Sequence, residues 1–329
     1  MKNFEYAAPR SEAEVLTFLS SQSGHTEILA GGTDLIGLMQ ANVVRPERVV
    51  NILEVPSLKT IEQLENGTLA VGAVVTLDVL LEHPYLTPYP ALKQAIEGIA
   101  SMQLQCQGTL GGEVLQRPQC WFFRSGRGLL AGGGKLPVEG DNRFHAIFGN
   151  QGAAKFVSSS RLAPALVALN AQVRVIGPGE ADEKYVPVES IYRAPRHEAE
   201  REHTLLPNQL VTHLLIPAAT GFNATYEVRH GAGPDYPLAS AAASLEIVDG
   251  IVREARIVLG HVAPTPWLSL EGAAAITGRP VNEETASAAG AAAIVSASPL
   301  SNNDYKVQLA QVAVKRAILR AAGLETGGL

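Results

Sequence analysis

Two short glycine-bearing stretches are the places where this chain has the residues to hold a charged ligand. The first is Ile28-Leu29-Ala30-Gly31-Gly32-Thr33-Asp34-Leu35, where an apolar strand-like run enters a glycine pair and a helical pattern (Leu35, Leu38, Met39) leaves it. The pair lets the backbone turn sharply and a ligand approach the main chain. Free N–H groups at such a turn, next to a helix start, suit a diphosphate. Thr33 and Asp34 suit either the helix cap or a ligand's hydroxyls. Read alone, the stretch is more simply a strand-to-helix turn with no ligand. The second stretch, Thr109-Leu110-Gly111-Gly112-Glu113, changes that balance, because two diglycine turns flanked by apolar sequence suit a long, doubly charged cofactor held from two sides.

Other chemistries find less support. No His-Glu-x-x-His occurs, and His197 and His203 are six apart rather than the four that would put both on one helix face for zinc, so no metal site is expected. No Gly-x-Ser-x-Gly nucleophile elbow appears. Gly134-Lys135 has the sound of a phosphate loop, but Leu129 and Leu136 stand where Gly and Ser or Thr are needed. Cys120 reads as a buried thiol, and Trp121, Phe122 and Phe123 as core.

The elements that position the two turns follow from pattern. Ser11-Glu12-Ala13-Glu14 starts a helix with Val15, Phe18 and Leu19 on its buried face. Strands are expected at Glu27–Ala30 and Arg48–Leu53. Leu58–Leu64 and Leu69–Val74 form a hairpin around Asn66-Gly67. Helices are expected over Thr76–Leu81 and Ala91–Leu104, the latter running up to the second turn. Residues 125–140 are a glycine-rich insertion, read as a mobile surface segment or an interface. Arg161–Leu169 reads as a helix, and Gln172–Ile176 and Leu210–Ile216 as strands. The charged run from Pro195 to Arg201 reads as a solvated loop. After a linker at Pro217–Gly221, strands are expected at Ala224–Arg229, Ala239–Val248 and Val252–Leu259, with Asp249-Gly250 as a hairpin turn. Alanine-rich helices follow near 283–296 and 304–322. The implied division is a first lobe over 1–56, a second over 57–217 and a third domain over 218–329.

Composition sets outer bounds. With 329 residues, 46% apolar and 18% charged, the chain reads as an ordinary globular protein with ample core. A net charge of −6 argues against nucleic acid or an anionic membrane as the main partner. Two cysteines, Cys106 and Cys120, make no disulfide scaffold. No charged-then-apolar leader pattern and no membrane-length apolar run occur, so a cytoplasmic location is expected, with export alongside a signal-bearing partner left open.

The pair Ala30-Gly31-Gly32-Thr33-Asp34 and Thr109-Leu110-Gly111-Gly112 resembles the flavin-binding (medium) subunit of molybdenum hydroxylases, the xanthine dehydrogenase and carbon monoxide dehydrogenase family. Gln116–Arg124, Asp141–Gly149 and Leu162–Leu169 resemble the branch found in bacterial aldehyde oxidoreductases, and the similarity runs from about Phe4 to about residue 320. The resemblance implies an α+β fold, namely a two-lobed FAD-binding unit of the vanillyl-alcohol-oxidase (PCMH) type and a C-terminal α/β domain like that of carbon monoxide dehydrogenase flavoprotein. It implies an oxidoreductase subunit that takes electrons from an iron–sulfur partner through FAD to an external acceptor. A molybdopterin subunit would carry the substrate site.

The residues implied for FAD are Leu29, Ala30, Gly31, Gly32, Thr33, Asp34 and Leu35 from the first turn and Thr109, Gly111, Gly112, Glu113 and Gln116 from the second. Ser160 and Arg161 complete the set. No catalytic residue is assigned. The resembling branch also carries an iron–sulfur cluster, on cysteines around and after Cys120. Four thiolates are the usual requirement, and here Cys120 stands alone with Ala154 at a later cysteine position, so no cluster is expected on this chain. Three residues depart from the family pattern at the flavin: Glu113 for Asn, Arg161 for Asp (with Glu113 or a phosphate as its conceivable partner), and Glu227 near an expected Lys. These departures motivate an alternative, a flavin-poor or flavin-free relative that serves as a structural subunit or as a stand-alone enzyme with another ligand in the cleft.

Overall fold

The computed structural model describes residues 1–327 apart from Gln22, Ala232 and Pro234. Three sheets, in chain order, organise the molecule. The first is parallel, with β1 (Glu5–Ala7), β2 (Thr26–Leu29) and β3 (Arg48–Asn51) in the order β1-β3-β2. The second is antiparallel and built from β4 (Ile61–Gln63), β5 (Leu69–Gly72), β6 (Gln172–Ile176), β7 (Glu183–Pro187) and β8 (Leu210–Ile216), in the order β4-β5-β8-β6-β7. The third, also antiparallel, holds β9 (Phe222–Val228), β10 (Ala239–Val248), β11 (Ile251–Gly260) and β12 (Trp267–Leu268), in the order β12-β11-β10-β9.

The local signals act as their chemistry dictates. Ser11 Oγ accepts from Glu14 N–H at 3.2 Å and opens the helix Glu12–Ser21, which buries Val15, Leu16 and Leu19. Asp249 and Gly250, at φ 53° and 76°, make the tight turn between β10 and β11, both in the left-handed region that a two-residue hairpin loop demands. Small residues let the third sheet take a helix closely. Ala310, Ala313 and Ala317 of the helix Tyr305–Ala321 share one core with Ala241 and Ala243 of β10. The opposite face of that sheet contributes Ala242 and Val258 to the core of the second lobe, beside Leu162 and Leu166 of the helix Leu162–Ala168. Truncating either buried leucine to alanine costs on the order of 2–5 kcal/mol.

Two expectations need correction. Ala91–Leu104 is two helices, Pro90–Glu97 and Met102–Gln107. The break comes because the Gly98 carbonyl turns to accept from Arg229 Nη1 at 3.0 Å and from Arg161, and Ser101 starts the second helix by accepting from Leu104 N–H at 3.3 Å. The glycine-rich insertion is packed: Leu129, Leu130 and Ala131 are buried, the two leucines in a small core with Leu38, Phe123 and Phe156. The charged stretch 195–201 is, as expected, a loop with 196–199 exposed, and it is also tied to the insertion, since the Glu198 carboxylate accepts from the N–H groups of Leu129 (2.9 Å) and Leu130 (3.0 Å). A helix at Leu270–Ile276 escaped the pattern reading. Among the described residues no helix is long and apolar enough to cross a membrane, and no group of three or more His, Cys, Asp or Glu side chains is placed to hold a metal.

Candidate functional site

Both glycine turns line one cavity of about 560 Å³ between the first two sheets. They meet directly rather than flanking it at a distance. Gln107, one residue before the second turn's loop, donates from Nε2 to Gly31 O at 3.0 Å. A Cβ on Gly31 would sit 1.8 Å from Gln107 O, so only glycine allows the contact. Gly32 has φ +74°, which bends the chain back into the helix Leu35–Gln40.

The two turns differ in their free hydrogen-bonding groups. Among the described residues, the N–H groups of Gly31, Gly32 and Thr33 meet no acceptor in the protein. Successive free main-chain N–H groups at the wall of a cavity form a concave donor array that suits an anion. At the second turn, Gly111 N–H donates to Ala73 O at 2.8 Å and Gly112 N–H to Thr109 Oγ1 at 3.2 Å. Thr109 is the N-cap of the helix Leu110–Val114. The free donors of the first turn, the cavity's volume and its apolar flank at Leu35, Leu38, Val44 and Ile52 fit a diphosphate-bridged dinucleotide.

Asp34 occupies the N-cap position of its helix but makes no cap bond. Its carboxylate accepts from Arg117 N–H at 2.7 Å and pairs with Arg124 Nη2 at 2.6 Å, which fastens the segment 117–124 to the first turn. Leu29 lies at the end of β2 and is not on the cavity wall, whereas Ala30 and Leu35 are. Gln116 lines the cavity next to Gly112. Glu113, Ser160 and Arg161 do not line it.

Those last three residues belong to a network behind the second turn that also takes in Glu227. The Glu113 carboxylate accepts from Arg161 N–H at 2.6 Å and from Gln116 Nε2, so it faces the start of the helix Leu162–Ala168 and not the cavity. Ser160, 2% exposed, accepts from Ala163 N–H at 3.0 Å. The Arg161 guanidinium donates to the carbonyls of Gly98 and Asp235 and lies 3.7 Å from Glu227 Oε2. Arg229 Nε is 3.9 Å from the same oxygen. Burial pushes the Glu113 carboxyl up to about 7, against the pull of the Arg161 N–H and guanidinium. Burial raises Glu227 as well, and Arg161 and Arg229 oppose it. The three departures from the family pattern are thus one coupled arrangement: each acid faces the one arginine. Proximity in sequence does not show this, because β9 reaches the network from the third sheet.

The far end of the cavity comes from residues that pattern reading passed over. Arg193, Arg201 and His203 line it from the loop after the helix Val188–Ile191. Arg201 pairs with Glu27 of β2, and Arg117 with Glu202. His203 is pushed down to about 4, first by burial and then by Arg201 and Arg117, so it is neutral, and its Nδ1 has no partner. The charge run 195–201 was the available signal, but nothing local distinguishes it from a solvated loop.

Comparison with known proteins identifies the family. Residues 2–219 match the model of the FAD binding domain in molybdopterin dehydrogenase, and residues 224–321 that of the CO dehydrogenase flavoprotein C-terminal domain. The chain is 31% identical to the aldehyde oxidoreductase FAD-binding subunit PaoB of Escherichia coli K12, over 94% of this chain and 96% of that one. It is 26% identical to the carbon monoxide dehydrogenase medium chain of Hydrogenophaga pseudoflava, over 96% of both. A solved carbon monoxide dehydrogenase from the same organism, lacking the Mo-pyranopterin moiety of its molybdenum cofactor, superposes with a TM-score of 0.77 over 98% of both chains at 25% identity. The chain belongs to the FAD-binding, medium-subunit family of molybdopterin dehydrogenases, and so to the oxidoreductases.

Proposed function

We propose that this chain is the electron-transfer subunit of a heteromeric molybdenum-hydroxylase-type oxidoreductase, working between an iron–sulfur partner and an external acceptor, with the substrate site on a molybdopterin subunit. The observation that carries the reading is the set of unpartnered N–H groups at Gly31, Gly32 and Thr33, facing a cavity that also receives the second turn. FAD supplies the redox chemistry when bound, and the protein's part is to place it and tune its surroundings. Gly31, Gly32 and Thr33 would donate main-chain hydrogen bonds to the diphosphate. Gly112 and Gln116 would border the ligand from the second turn, and Leu35 and Leu38 would exclude water on one side. Asp34 acts by holding Arg117 and Arg124 in place, since both of its oxygens already have protein partners. Glu113 faces away from the cavity, so its charge does not oppose a diphosphate directly. We further propose that no iron–sulfur cluster resides on this chain. Cys120 Sγ lies 3.3 Å from His145 Nε2, and its surroundings are filled by Leu129 and Leu130 of the insertion together with Ala154 and Phe156.

The test is the visible spectrum of the purified protein before and after excess FAD, with iron analysis alongside. A two-band flavin spectrum that survives gel filtration, without iron, supports both statements. A protein that stays colourless after FAD and gel filtration sinks the flavin reading in favour of a flavin-free relative with another ligand in the cleft. Stoichiometric iron removes the second statement.

A further inference from the structure

Gln116 stands between the cleft and the buried network. Its Nε2 donates to the Glu113 carboxylate and, at 3.2 Å, to the Glu113 carbonyl, and its Oε1 accepts from Tyr236 O–H at 2.7 Å. Both amide hydrogens therefore turn toward Glu113, and one carbonyl lone pair is left for the cleft. Tyr236 also accepts from Gln119 Nε2 at 3.1 Å and, at 39% exposure, has access to solvent.

Resting on the reading that the cleft holds FAD, we propose that Gln116 is a positioning residue whose amide is set by the proton on Glu113. With Glu113 ionised, Gln116 offers the ligand a carbonyl lone pair; with Glu113 protonated, the amide turns over and offers an N–H. The exchange gives up one bond, from Gln116 Nε2 to the Glu113 carbonyl, and reverses the bond to the Glu113 carboxyl group. A proton taken from solvent onto Glu113 Oε2 makes that oxygen a donor, which Gln116 can satisfy only by presenting Oε1. Nε2 then donates to Tyr236 Oη with one hydrogen and faces the cleft with the other, while the Tyr236 hydroxyl turns to water. The charged and titratable groups around Glu113 permit the exchange. Arg161 holds Oε1 through its N–H, and Tyr192 stays a neutral phenol that donates to Val114 O at 2.7 Å. Tyr236 is held neutral by burial and by the charges of Glu113 and Asp34, with Arg124 and Arg161 opposing. Glu227 is engaged by Arg161 and Arg229 on the far side. A donor at the cleft wall favours a diphosphate-bearing ligand, so affinity should fall as pH rises through neutrality.

Two measurements on the full-length protein decide the matter. The first follows the Gln116 side-chain amide by NMR in cofactor-free protein across the neutral range, with the signal assigned by its loss in Gln116→Leu. A shift with a midpoint near neutral pH in the wild type and a flat line in Glu113→Gln support the proposal. A flat wild type, or the same shift in both proteins, overturns it. The second is FAD affinity by flavin fluorescence. The wild type should weaken roughly fivefold from pH 6 to pH 8, within the tenfold per pH unit that linkage allows, and Glu113→Gln should not. A pH-independent affinity in a wild type whose amide does titrate overturns the coupling to the cofactor. If FAD fails to bind at every pH, the flavin reading falls, and the amide titration still decides whether Glu113 sets Gln116.

Discussion

The two diglycine turns look alike in sequence and are built for different work. At the first, three consecutive N–H groups are left without protein partners and the helix cap is unmade. At the second, the corresponding groups are consumed by Ala73 and Thr109, and the acid that follows is turned inward to Arg161. The first is a ligand surface that the fold leaves unsatisfied. The second is a structural joint that holds the ligand surface in place. The same pair of glycines thus serves close approach of a ligand in one case and close packing of the chain in the other.

This contrast predicts that damage to the second turn's support is read as lost stability, and damage to the first as lost affinity. The largest effect is expected at Arg161. Arg161→Met leaves Glu227 buried at 7% side-chain exposure without its nearest cation, and removing one partner of a buried pair costs about 3–5 kcal/mol. Urea denaturation reads the loss, and adding Glu227→Leu should restore most of it. If the single change is silent, the network is not what holds the second turn.

Gly31→Ala comes next. Its methyl would meet Gln107 O at 1.8 Å and prise the turns apart, costing on the order of 1–3 kcal/mol in stability and lowering FAD affinity by roughly a hundredfold, about 2.7 kcal/mol. An affinity within a few-fold of wild type by fluorescence titration would show that the first turn is not the ligand surface. Thr109→Val removes the N-cap that Gly112 N–H uses and should cost about 1 kcal/mol with FAD affinity nearly unchanged. A loss of affinity without a loss of stability would invert the comparison.

The last prediction concerns pH. The folded-state pKa of Glu113 is raised to about 7 from an ordinary 4.5. The native protein therefore holds the extra proton between those values, and stability falls as pH rises across that window. Glu113→Gln should flatten that slope in urea midpoints measured from about pH 4.5 to about pH 7. An unchanged slope would place the titration elsewhere.

Much of this was legible before the structure. Where a local rule is sufficient, as with Asp249-Gly250, the Ser11 cap or the apolar alternation of Gln172–Ile176, the element appears where expected. Both glycine turns were also visible, because a glycine pair between apolar runs is itself a local feature. The two turns' unequal roles were not. Whether an N–H is free depends on Ala73, which lies three α-helices earlier in the chain than the second turn. Glu113, Arg161 and Glu227 read as three separate departures because their meeting depends on the third sheet docking against the second lobe. The loop 195–201 is exposed at 196–199, as its charges suggest, but its partners were hidden for the same reason, since β2 supplies Glu27 and the insertion supplies its N–H groups. Long-range partners set the meaning of a charge, and a window of neighbouring residues does not contain them.

The fastening of Asp34 to Arg117 and Arg124 has a consequence for how the protein is made. The chain leaves the ribosome from its N-terminus, so the first turn emerges well before the residues that hold it, and Arg161 emerges before β9 brings Glu227. A chain arrested after Leu115 should therefore capture FAD poorly even though both glycine turns are present, because Arg117 and Arg124 are missing, which fluorescence titration of that fragment would check. Cofactor loading would then wait on the segment 117–124, so that a ligand surface made early in synthesis becomes competent only when its fastening arrives.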